Sequence, residues 1–107
     1  MAAQDPSNSE WQRALSLSFE RIGDVQSARG DLEAALKAYQ DGLAIREKLV
    51  AQDPSNAQWQ RDLIVSNVKL ADVAERQGRP ADTSRHYGAA LAVAKELQAR
   101  GRLAPVD

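Results

Sequence analysis

The chain has no cysteine, one histidine, one threonine and one phenylalanine among its 107 residues. Without cysteine there are no disulfides, no thiolate metal sites and no cysteine nucleophile, and the composition fits a reducing compartment. A lone His86 with no cysteine beside it offers too few ligands for a metal and cannot complete a serine triad. β-Branched residues are scarce, with three isoleucines, so little of the chain favours strands. The longest purely apolar run, residues 89–94, is far too short to span a bilayer. Asp5, Pro6 and Glu10 interrupt the start, so no signal peptide is expected. An excess of either charge is lacking too: the formal charge is −1, so no global field advertises nucleic acid or membrane. The expectation is a cytoplasmic protein.

What is present is helical in character. There are 19 alanines, with many Leu, Glu, Gln, Arg and Lys, residues that lose little entropy in a helix. The chain also repeats itself 48 residues on: Ala3-Gln4-Asp5-Pro6-Ser7-Asn8 returns as Ala51-Gln52-Asp53-Pro54-Ser55-Asn56, and Trp11-Gln12-Arg13 as Trp59-Gln60-Arg61. Residues 3–50 and 51–98 share 18 identities in 48 positions. A fixed period of this size implies stacked supersecondary units.

Each period divides into two helical arms. Ser7 with Glu10, and Ser55 with Gln58, have capping-box spacing. Asp-Pro before each box stops the preceding helix. Trp11, Leu15, Ile22 and Val25 then form an apolar stripe that Trp59, Leu63, Leu70 and Val73 repeat. Gly30 and Gly78 stand where a left-handed helix terminus favours glycine. The first helices are expected over about 8–28 and 56–77, the second over 31–51 and 80–99, with a tail over 100–107. Asp31 is the N-cap choice for the second helix, and Glu33 with Lys37 stands in the favourable i,i+4 order. In the last helix Arg79 replaces that Asp, while Thr83 and Ser84 replace Ala35 and Leu36. The last helix is therefore expected to start later or fray more, and to serve as a polar cap on the stack. Ala3 to Pro6 reads as the exit from an earlier unit: either the chain is cut from a longer array, or its gene has shed units.

Residues 19–43 resemble the tetratricopeptide repeat through Phe19, Ile22, Gly23, Gly30, Ala35, Tyr39, Gly42 and Leu43. The second unit offers Asn67, Leu70, Ala71, Gly78, Thr83, Tyr87, Ala90 and Leu91, departing from the pattern at Asn67, Ala71 and Thr83. Residues 43–49 are similar to the longer kinesin-light-chain style of repeat, and the Trp-Gln-Arg start resembles long repeats of bacterial multidomain proteins. The resemblance implies an all-α fold of two stacked antiparallel helix hairpins, four helices in one domain, with small residues where paired helices approach and a tyrosine filling the gap. It also implies a groove lined by the first helix of each unit, at Leu17, Glu20, Asp24, Ser27 and Ala28 and at Val65, Val68, Asp72, Glu75 and Arg76. The basic clamp that grips a terminal carboxylate in this family is absent from these positions.

These positions make the expected surface acidic, with an apolar strip of Leu17, Val65 and Val68, suited to a basic or amphipathic segment of a protein partner. The plainer alternative is a solvated helix face on which Glu20 and Asp24 repel and Arg76 pairs with Asp72. Trp11 and Trp59 are expected to pack between units, and Tyr39 and Tyr87 in the core. His86, oriented by Asp82 or merely packed, carries no repeated function. Arg76, Arg79, Arg85, Lys95, Arg100 and Arg102 make the last 32 residues about +3 against −4 before them, too dispersed around a helix for a nucleic-acid track. The expectation is a binding module with no enzyme activity, no cofactor, no metal, no nucleic acid and no membrane partner. Its role would be a protein-interaction scaffold, the C-terminal end of a longer array. The alternative is self-assembly as a homodimer through an uncovered N-terminal face carrying Trp11 and Leu15.

Overall fold

A computed structural model describes residues 8–103 and contains four helices: α1 Ser9–Ala28, α2 Leu32–Gln52, α3 Ala57–Arg76 and α4 Pro80–Leu103. No strand occurs among the described residues. α1 packs on α2, α3 on α4, and α2 on α3, so two helical hairpins lie side by side.

The helix ends follow from local chemistry, though not always from the residue expected. Asn8 and Asn56 are the N-caps, their side-chain oxygens accepting from the Trp11 and Trp59 amides at 3.1 and 3.0 Å. The expected cap Ser55 instead donates to Asp53 Oδ1 within the turn, and its partner box at Ser7 lies outside the described residues. Asparagine outranks serine only slightly as a cap, so the Asp-Pro turn decides which side chain reaches the amide. Gly30 and Gly78 take φ of +83° and +73°. There the Asp31 amide reaches back to Gln26 and the Arg79 amide to Ala74, closing each helix in the left-handed manner expected. Asp31 caps α2 by accepting from the Ala34 amide.

α4 does not start late. Pro80 opens it at the position equivalent to Leu32, because proline suits a first turn and the Thr83 hydroxyl bonds the Arg79 carbonyl. Nor does it stop near residue 99: it runs through Gly101 to Leu103. Lys37 pairs with Asp41 at 2.9 Å rather than with Glu33.

The core sits at the seam between hairpins. Ala35 and Tyr39 of α2 meet Leu70 and Val73 of α3, with Leu32, Leu36 and Leu43 packed around them. Burying a side chain such as Leu70 is worth about 1.5–3 kcal/mol. The same stripe on α1 has no such neighbour: Leu15, Ile22 and Val25 are exposed and Trp11 is 65% exposed. Trp11 is therefore not packed between units as expected, whereas Trp59 is half-buried. Tyr39 is a core residue at 5% exposure, whereas its twin Tyr87 is 44% exposed. Two physical reasons separate them. Tyr39 lies against Gly23, where an added Cβ would overlap its ring, while the residue matching Gly23 in the second hairpin is Ala71. Tyr39 is also covered by α3, whereas α4 packs chiefly on α3 among the described residues and Tyr87 is left exposed.

Candidate interaction surface

The first helices of the two hairpins, α1 and α3, are joined by side chains one period apart. Arg13 grips Asp62 through two bonds, Nε to Oδ2 at 2.6 Å and Nη2 to Oδ1 at 3.2 Å. That hydrogen bond raises the Arg13 pKa further above its ordinary value. Arg76 donates to the Ser27 hydroxyl at 2.5 Å and to its carbonyl at 3.2 Å.

Lys69 of α3 lies between them, 2.6 Å from Asp24 and 3.9 Å from Glu20. The Tyr39 hydroxyl donates to the same Asp24 oxygen at 2.5 Å, and the Lys69 ammonium stands 5.9 Å from the centre of the Tyr39 ring. Burial favours the neutral form of Asp24, but the hydrogen bonds from Lys69 and Tyr39 outweigh it and hold the carboxyl below its usual range. Burial, then the adjoining Asp24 carboxylate, pushes the Tyr39 phenol well above its usual value.

Arg46 of α2 completes this network and was not anticipated. It is 2% exposed. Its Nε donates to Ser16 at 3.1 Å, and Nη1 reaches Glu20 at 2.8 Å, Ser66 at 2.8 Å and the Asp62 carbonyl at 3.3 Å. One guanidinium thus holds three helices. Glu20 and Asp24, expected to form a repelling acidic face, are instead each bound to cations. The sequence carried a signal for this: Arg46 stands at i+7 from Tyr39 and i−3 from Leu49, on the buried stripe of α2.

Asp24, Ser27, Val68 and Asp72 line one cleft of about 620 Å³, together with Ala28, Tyr39, Lys69, Arg76 and Tyr87. Six of the ten expected groove positions thus come together. Glu75 lies instead in a separate cleft with Pro80 and Thr83, and Leu17, Glu20 and Val65 line neither. Asp24 and Asp72 are balanced in the main cleft by Lys69 and Arg76, the latter 3.9 Å from Asp72 as expected. The surface is therefore amphipathic and near neutral, and the expectation of an acidic groove is corrected.

His86 is buried against α3, its Nδ1 2.9 Å from Asn67 Oδ1. Asn67 donates its amide to the Leu63 carbonyl, which turns its oxygen toward the ring and makes His86 Nδ1 the donor. His86 is thus packed, the plainer of the two expectations, and Asp82 bonds Arg85. Burial, then the Arg85 charge, lowers the His86 pKa against a weaker opposing pull from Asp82.

Among the described residues no group of three or more His, Asp or Glu is placed to hold a metal ion, and no helix is long and apolar enough to cross a membrane. Set against known protein families, curated proteins and solved structures, the chain finds no match.

Proposed function

We propose that this protein is a tetratricopeptide-like interaction scaffold that docks a peptide or helix of a protein partner in the cleft between α1 and α3. The observation that carries the reading is the cleft itself, where Asp24 and Ser27 of one hairpin meet Val68 and Asp72 of the other. Tyr87, exposed at one side of the cleft, supplies aromatic surface, a residue type common at the centres of interfaces. Because two cations balance two carboxylates, the fitting partner is an amphipathic helix of mixed charge rather than a strongly basic one. Neither catalysis nor a cofactor belongs to this reading. A cytoplasmic setting accords with the lack of cysteine.

The test is selection of a displayed peptide library on the folded protein, followed by titration of a recovered peptide into variants. Val68→Asp should weaken binding by about 1–2 kcal/mol, as for a residue near an interface centre. Arg61→Ala, on an exposed part of α3 outside the cleft, should leave it unchanged. Recovered peptides that bind Val68→Asp as well as the parent would refute docking here. Reversal of Glu20 or Asp24 is a poor test, since it breaks the Arg46 and Lys69 pairs that hold the fold.

A second reading, self-association through the open face of α1, is favoured by the exposed stripe of Trp11, Leu15, Ile22 and Val25.

A further inference from the structure

The seam between the hairpins buries one face of α2 against the stripe of α3. Its two halves recur, unfilled, at opposite ends of the molecule. Leu70 and Val73 of the seam correspond by the 48-residue period to Ile22 and Val25, which with Arg21 and Gln26 line an open cleft of about 280 Å³ on α1. Leu32, Ala35 and Leu36 correspond to Pro80, Thr83 and Ser84, which line an open cleft of about 290 Å³ beside α4. Tyr39 and Leu43 correspond to Tyr87 and Leu91, both exposed on α4.

The charges correspond as well. At the seam, Tyr39 donates to Asp24 and the cation of Lys69 binds that carboxylate beside the ring. One period on, Tyr87 and Asp72 stand together in the main cleft, and the twin of Lys69 is exposed Arg21. The tyrosine and the aspartate are at one end of the chain and the cation is at the other. A second copy brings the three together.

We propose that copies of this chain associate head to tail, the α1 stripe of one seated on the α4 face of the next, with Arg21 of one copy bound to Asp72 beside Tyr87 of its neighbour. The inference rests on the self-association reading and gives it a direction. Such an interface joins two different surfaces, so each addition leaves both ends open and growth does not stop at a dimer unless the rotation closes a ring. The guanidinium can also stack on the tyrosine face, as lysine does less well.

The experiment uses two variants of the whole chain, each with one end blocked by substitutions at exposed positions, and light scattering after size exclusion. Circular dichroism confirms that the helices persist. The parent should exceed 11.7 kDa increasingly with concentration. Ile22→Asp with Val25→Asp, and separately Tyr87→Asp with Leu91→Asp, should each be monomeric. Mixed in equal amounts they should form a dimer and stop, since each contributes one intact end. Arg21→Glu should weaken parent association about tenfold, and Asp72→Arg in the same chain should restore it. A parent that stays monomeric at every concentration overturns self-association altogether. Dimers of the Tyr87→Asp, Leu91→Asp variant alone, with no gain on mixing, would leave self-association standing through α1 against α1 and overturn the head-to-tail direction. Failure of the charge exchange to restore association overturns the Arg21–Asp72 register.

Discussion

Gly23 in the first hairpin has no room for the methyl group that Ala71 carries at the matching position of the second. At Gly23 the Tyr39 ring occupies the space a Cβ would take. Gly23→Ala therefore has to push the ring out of its bond to Asp24 and away from Leu70. The expected loss is about 1–3 kcal/mol, typical of overpacking in a tight core, and chemical denaturation measures it. His86 gives the other expectation at this scale. Its folded pKa is depressed, so the folded protein resists protonation that the unfolded chain accepts. The sign follows: its contribution is complete above the unfolded value of about 6.5, shrinks as pH falls through that value, and stops shrinking below the depressed folded value. Melting curves between about pH 7.5 and 5.5 should slope downward toward acid for the parent, and His86→Gln should flatten that part of the slope.

At the scale of the element, much was written in the sequence and the remainder had physical reasons to be hidden. The helices fall within a residue or two of their expected starts because turns, proline and glycine act locally. The caps of α1 and α3 fall one residue beyond the expected serines, since serine and asparagine are adjacent in each turn and only backbone geometry chooses between them, whereas Asp31 caps α2 as expected. Substitution separates them: Asn56→Ala should cost about 1 kcal/mol in a melting experiment, and Ser55→Ala clearly less. The C-terminal end of α4 was hidden because Gly101 reads as a terminator, yet it stays helical. The pairs Arg13–Asp62, Asp24–Lys69 and Ser27–Arg76 join residues 45 to 49 apart, a separation that becomes legible only once helices one period apart are known to lie side by side. An apolar stripe states which face is sticky, not whether anything covers it. That is why the same pattern is buried at Leu70 and Val73 and open at Ile22 and Val25.

Taken whole, the molecule is a slab of 44 × 38 × 21 Å with a radius of gyration of 15.0 Å, larger than the roughly 13 Å of a compact chain of this length. The excess follows from a fold in which each helix touches mainly its neighbour. Stacked units of this sort tend to lose structure one at a time. Arg46 opposes that tendency by bonding α1, α2 and α3 together. Removing it deletes the bonds to Ser16, Glu20 and Ser66 at once and leaves half-buried Glu20 with Lys69 at 3.9 Å, a loss on the order of 3 kcal/mol. Arg46→Ala should therefore lower the melting temperature steeply. It should also separate the hydrogen-exchange protection of the two hairpins, which the parent should show as one. The groove positions were legible as a set of residues, but their net charge was not, because the neutralising Lys69 and Arg46 lie on elements whose approach only the fold reveals.

The period that repeats so much of the chain does not repeat this clamp: the residue 48 positions after Arg46 is Ala94. A seam built on α4 would be held by apolar contact and the Arg21–Asp72 pair alone. Pulled from its two ends, a row of such molecules would part between chains before any one chain opened, so the covalent unit would also be the mechanical unit.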